Sequence, residues 1–202
     1  MSSGEYYLTI ESPGRAEYKD RGSKFLGHAF PITDAVDFKK RLQSLKEEHP
    51  KAAHHCFAYR LGTDENNFRS NDAGEPSGTA GKPILGQIDS RQLTNVAVIV
   101  VRYFGGTLLG VPGLISAYKT TAALALQTTP IIKRAIEINY RLQFDYTILN
   151  DVMVIAKKFN CTVIDQQIDL FCLMHIGIPK SNLELILLKL RDIKGLEIAK
   201  EN

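Results

Sequence analysis

Asn95-Val96-Ala97-Val98-Ile99-Val100-Val101 places six apolar residues in a row after a single polar one. A strand with one wet face alternates apolar and polar, so an unbroken run predicts a strand covered on both faces, the centre of a sheet. Directly behind it, Arg102-Tyr103-Phe104-Gly105-Gly106 reads as a tight loop, and an Ala-rich helix follows over about 113–127. Thr128-Thr129-Pro130 breaks that helix and marks a domain boundary.

Upstream, Tyr6 to Ile10, Arg15 to Lys19 and Lys24 to Pro31 read as three antiparallel strands, the first two separated by a Pro13-Gly14 turn. Thr33 or Asp34 caps a helix in which Val36, Phe38, Leu42 and Leu45 recur at helical spacing, ending near His49-Pro50. Ala53 to Gly62 and Phe68 to Asn71 are two further strands joined by the polar turn 63–67, and a Gly-rich stretch from Asp72 leads into a helix from Ile84 to about Ile88.

The last third carries cleaner signals. Asn139 to Ile148 reads as a strand, Asn150 caps a helix bearing Val152, Ile155, Ala156 and Phe159, and Cys161 to Ile164 and Ile168 to Ile178 are strands. Ser181-Asn182-Leu183-Glu184 has the form of a capping box, its helix closes at Gly195, and Leu196 to Ala199 is a last strand. The order β-α-β-β-α-β is the ferredoxin-like pattern. The whole is an α+β chain of two domains, 1–130 and 135–202.

Twenty-five Lys and Arg stand against 22 Asp and Glu, a net charge of +3 divided evenly along the chain. Bulk charge therefore does not mark a nucleic-acid domain, and any phosphate contact must come from local placement of a few cations. Cys56, Cys161 and Cys172 form no Cys-x-x-Cys pair and read as reduced thiols. Met1-Ser2-Ser3-Gly4-Glu5 lacks the marks of a signal peptide and no apolar run can span a bilayer, which predicts a cytoplasmic location without membrane contact. No cofactor or metal is expected.

Two Gly-rich segments invite nucleotide readings. Pro76 occupies the place of the first Gly of a P-loop and Pro83 follows Lys82; Leu108 stands where a dinucleotide fingerprint needs Gly. What remains is a strand-loop-helix unit whose glycines either cradle a phosphate or carboxylate near Arg102 and Lys82, or only permit close packing. Tyr103 and Phe104 could stack on bases or serve as rim residues. His54 and Cys56 share one strand face and His55 the other. A catalytic reading would draw on His55, Asp72 and Glu75, or on Cys56, and a metal reading on His55, Asp72 and Glu75.

The runs Asp72-Ala73-Gly74-Glu75-Pro76-Ser77-Gly78-Thr79-Ala80-Gly81-Lys82-Pro83-Ile84-Leu85 and Val100-Val101-Arg102-Tyr103-Phe104-Gly105-Gly106 to Leu109-Gly110 resemble the two signatures of the YigZ/IMPACT family. The resemblance extends from about Ser23 through Tyr118, with the C-terminal unit similar to the second domain of bacterial members. It implies an N-terminal domain similar to domain 2 of ribosomal protein S5, and a ferredoxin-like domain similar to a module of elongation factor G. It also implies a translation-associated regulatory protein whose partner is RNA, the ribosome or a translation-associated protein. The ligand-binding face expected from it comprises Asp72, Gly74, Glu75, Ser77, Gly78, Thr79, Lys82, Arg102, Tyr103, Gly105 and Gly106. A hydrolase or peptidase-like enzyme using the His55, Asp72 and Glu75 cleft is the alternative. Pro112 and Ser116 depart from the family pattern, which has Gly and Arg at those places.

Overall fold

The computed structural model describes residues 4–64 and 66–201. Met1 to Ser3, and Glu65 of the expected 63–67 turn, lie outside the described residues. The chain forms two compact units: residues 7–134, and residues 135–202 joined by the N-terminal residues 1–6.

In the larger unit the apolar run is β6 (Val96–Tyr103), the middle strand of a five-stranded sheet ordered β2-β3-β6-β4-β5. Its neighbours are β3 (Ser23–Pro31) and β4 (His54–Arg60), both antiparallel, with β2 (Gly14–Asp20) and β5 (Phe68–Asn71) at the edges. Six residues of β6, Val96 to Val101, have essentially no exposed surface because each face of the sheet carries its own core. On one face Val96, Val98 and Val100 pack with Phe25, Ala58, Ile84, Ile88, Ala117 and Ala122 beneath α2 (Gly81–Asp89) and α3 (Gly110–Gln127). On the other, Ala97 and Ile99 pack with Phe30, Phe38, Leu45, Phe57 and Tyr59 beneath α1 (Ala35–Glu48). Asp34 caps α1 as expected, its Oδ1 accepting from the amides of Val36 and Asp37 at 2.7 and 2.8 Å.

Three expectations for this unit are corrected. β1 (Tyr6–Ile10) does not extend the antiparallel sheet; it pairs with β7 (Ile131–Ala135), a strand that the Thr128-Thr129-Pro130 break hides. α3 begins at Gly110, with Pro112 in its first turn, where no intrahelical N–H is needed. Arg102 and Tyr103 belong to β6, not to the loop behind it.

The smaller unit has the order β8 (Glu137–Asp145), α4 (Leu149–Lys158), β9 (Thr162–Ile168), β10 (Phe171–Pro179), α5 (Leu183–Arg191), β11 (Glu197–Lys200). Its antiparallel sheet runs β11-β8-β10-β9, the ferredoxin-like arrangement. Tyr140, Leu142 and Phe144 of β8 and Met174, Ile176 and Ile178 of β10 bury one face against Val152, Ile186 and Leu190 of the helices. Asp145 rather than Asn150 opens the first helical segment, its carboxylate accepting from the Thr147 amide at 2.9 Å. Neither Asn150 nor the 181–184 segment makes a side-chain cap bond, and the β9–β10 turn lies at Asp169-Leu170.

Candidate functional site

The Asp72–Gly81 loop folds around carboxylates. Ala73 and Gly74 turn it through positive φ angles of 47° and 91°, and a side chain at Gly74 would crowd His54 Nδ1. Asp72 then accepts three backbone hydrogen bonds: Oδ1 from the amides of Ala80 (2.9 Å) and Gly81 (2.8 Å), Oδ2 from Gly78 (2.9 Å). Burial opposes ionisation of Asp72, but these amides, with Lys82 nearby, outweigh it and hold its carboxyl below the usual range. The amides of Gly78, Ala80 and Gly81 are thus taken up by the chain's own Asp72 at the start of α2, where the sequence suggested a cradle for an external anion.

Glu75 is drawn inward. Its side chain is 3% exposed and its Oε1 accepts from Arg102 Nη1 at 2.6 Å and from the Tyr118 hydroxyl at 2.7 Å. Arg102, 5% exposed, also reaches Ser23 Oγ through Nη2 at 3.3 Å, and its guanidinium lies over the rings of Phe25 and Phe104 at 5.4 and 5.6 Å. Ser23 Oγ in turn accepts from the Gly105 amide at 3.2 Å. Gly105 is required there because a Cβ would collide with the backbone of Gly22 and Ser23. Burial first, then the neighbouring thiol and carboxylate, push the Tyr118 hydroxyl far above its usual range, so it serves as a donor to Glu75.

His54 Nδ1 lies 2.8 Å from the Ala73 carbonyl, which can only accept; Nδ1 therefore carries the proton and Nε2 faces Glu75 Oε1 at 3.8 Å. Over His54, Glu75 and Arg102 opens a cleft of about 470 Å³ walled by Pro76, Phe104, Leu108, Leu109, Val111 and Leu114. Its rim is apolar yet wet: Leu108 is 81% exposed, Val111 52% and Phe104 51%.

The geometry corrects several sequence expectations. Arg102 is an internal charge paired with Glu75, not an exposed cation offered to phosphate. Tyr103 turns to the α1 face, where its hydroxyl meets His49 Nδ1 at 3.0 Å. Thr79 is buried and donates to the Pro76 carbonyl. Lys82, Ser77, Gly105 and Gly106 remain exposed. His55 lies on the opposite sheet face from Cys56, so it cannot join Asp72 and Glu75 in one cleft, and among the described residues no cluster of three His, Cys, Asp or Glu is placed to hold a metal ion. Cys56 is fully buried, 3.0 Å from the Asp72 carbonyl, and burial pushes its thiol up to about 12, which removes the thiolate that nucleophilic attack needs. Ser116 is exposed on α3 and takes no part in the network. Sequence reasoning missed Ser23 and Tyr118; the signal was a Tyr inside an apolar helix, whose hydroxyl must find a partner once buried.

A two-domain protein, with a covered antiparallel sheet carrying two loop signatures and a ferredoxin-like second unit, is the class these features define. The Impact N-terminal domain profile matches residues 21–126. The chain is 33% identical over 177 residues to the IMPACT family member YigZ of Escherichia coli, covering 86% of this chain and 85% of that protein. It is 34% identical over 146 residues to the family member YvyE of Bacillus subtilis, covering 72% and 67%. A crystal structure of a hypothetical protein superposes with a TM-score of 0.76 at 28% identity, covering 98% of each chain. The chain belongs to the IMPACT family. Rattus norvegicus Protein IMPACT is 33% identical over 98 residues, which is 47% of this chain and 31% of that protein. Among the described residues no helix is long and apolar enough to cross a membrane.

Proposed function

We propose that this chain is a translation-associated regulatory protein that works by docking, with the cleft over Glu75 as the seat for a segment of a ribosome-bound or ribosome-associated protein. The observation that carries this reading is the contrast between floor and rim. Arg102, Tyr118, Asp72 and Cys56 are engaged with one another or with backbone, whereas Phe104, Leu108 and Val111 leave apolar surface in water above them. Contiguous exposed apolar surface rimming a preformed cleft is the mark of an interaction site. Family membership and the resemblance of both domains to ribosomal protein S5 and elongation factor G modules supply the translation context, at the level of fold.

Co-sedimentation of the full chain with purified ribosomes tests the reading. Binding is expected, together with a drop of about tenfold in affinity for Leu108→Asp, since loss of one anchoring apolar contact at an interface has effects of that order. Binding absent at low salt, or unaltered by Leu108→Asp, would overturn it.

A further inference from the structure

The floor of the Glu75 cleft presents hydrogen-bond acceptors that the fold leaves unused. Glu75 Oε1 is taken by Arg102 and Tyr118. Its Oε2 makes no hydrogen bond among the described residues and, unlike the enclosed Arg102 Nε, keeps contact with the open space above it. Beside it stands His54: with the Ala73 carbonyl holding the proton on Nδ1, Nε2 presents a lone pair, 3.8 Å from Glu75 Oε1 and without a hydrogen bond of its own. Arg102 is committed inward, Nη1 to Glu75 and Nη2 to Ser23. Around this floor Pro76, Phe104, Leu108, Leu109, Val111 and Leu114 offer apolar side chains. An unpaired carboxylate oxygen on a side chain only 3% exposed is costly, and the group that relieves it must carry a donor into an apolar slot.

The geometry points to a tryptophan side chain of the docked segment as the occupant of this cleft, its indole N–H donating to Glu75 Oε2 beside His54 and its ring against Phe104, Leu108 and Val111. Indole is large, uncharged and a donor only, which matches apolar walls over an accepting floor, and tryptophan is enriched among interface anchors. Phenylalanine leaves both acceptors bare, and tyrosine brings its own oxygen lone pairs toward a carboxylate. Lysine or arginine would satisfy the acceptors but must shed water among apolar walls and stand beside Arg102, which already balances Glu75. α3 opens at the rim without a side-chain cap, so its first amides remain for a main-chain carbonyl of the same segment. The chain itself contains no tryptophan, so the occupant is a different protein and not a second copy. The assignment rests on the docking reading above and names the residue that docking seats.

The lack of tryptophan also makes the test clean, because indole emission then reports the ligand alone. A blocked, alanine-rich pentapeptide with one central tryptophan is titrated with the full chain at pH 8. A saturable blue shift of its emission is expected. The same peptide carrying 1-methyltryptophan keeps the ring but loses the N–H, and is expected to bind about tenfold more weakly. A phenylalanine peptide should compete as weakly as the methylated one, and a lysine peptide weaker still. Val111→Glu, at a position 52% exposed, should keep the circular dichroism of the parent and abolish the shift. Equal affinity of the methylated peptide, tighter competition by the lysine peptide, or an undiminished shift with Val111→Glu would each overturn the assignment. No blue shift, with ribosome association still sensitive to Leu108→Asp, would overturn the tryptophan and leave the docking cleft standing; loss of both would remove the docking reading as well.

Discussion

The two faces of the larger sheet bury polar groups in opposite ways. Beneath α2 and α3 a full charge pair, Arg102 and Glu75, is hidden and mutually compensated, with Tyr118 and Ser23 extending the network and only Arg102 Nε left without a partner among its nitrogens. Beneath α1 the polar groups are histidines less completely partnered: both ring nitrogens of His28, Nε2 of His49 and Nε2 of His55 lack hydrogen bonds, while His49 Nδ1 meets the Tyr103 hydroxyl and His55 hydrogen-bonds the Leu45 backbone. A compensated buried charge is structurally demanding, because removing either partner leaves the other buried alone. Burial disfavours the charged forms of His28 and His55, so this face is the one that responds to acid.

The largest expected effect breaks the first face. Glu75→Leu leaves the Arg102 guanidinium buried without its carboxylate and should cost about 3–5 kcal/mol in urea unfolding, while Glu75→Leu combined with Arg102→Met should recover most of the loss. If the single variant is no worse than the double one, the pair is not the organising feature argued here. Asp72→Ala removes the acceptor for three amides and should cost about 3 kcal/mol, with hydrogen exchange at Gly78, Ala80 and Gly81 accelerated in the same variant.

Acid sharpens the second face. Burial, reinforced by Arg15 and only partly opposed by Glu48, lowers the His28 pKa from its ordinary 6.5 to about 4. The unfolded chain then binds the proton first on acidification. His28 therefore adds stability that is fully present above pH 6.5 and is lost as the pH falls toward 4, and burial of His55 shifts its pKa in the same direction. After allowance for solvent screening the His28 share is roughly 2 kcal/mol. His28→Phe should flatten the pH dependence of unfolding over that window, and an unchanged profile would remove His28 as its source. The smallest effect belongs to the cleft rim: Leu108→Asp, at an 81% exposed position, should leave urea stability within about 0.5 kcal/mol of the parent.

Much of this frame could be read from residue order. The run Val96 to Val101 announced two covered faces, and Asp34 announced the start of α1, because periodicity and capping are local properties. The partner of β1 could not be read: a period-two pattern says that Tyr6 to Ile10 is extended, but its mate at Ile131–Ala135 lies more than a hundred residues away. The site was legible as a pair of Gly-rich signatures and obscure in its chemistry. Arg102 reads as exposed because arginine usually is, and only a carboxylate 27 residues upstream brings it inside. His54 was seen on the face of Cys56, yet the proton on its Nδ1 depends on where the Ala73 carbonyl points, which no spacing rule supplies.

The N-terminal residues of the chain are grouped with the C-terminal unit, where the Glu5 carbonyl accepts from the Ile136 amide at 2.7 Å. During synthesis the segment 7–134 emerges whole and can fold while the rest is still being made. Glu5, made earlier than that segment, must instead wait until Ile136 has been made before its partner exists. A nascent chain from which Arg134 has just emerged would therefore carry a finished larger unit with Glu5 still unpaired, and emergence of Ile136 is the step that engages it.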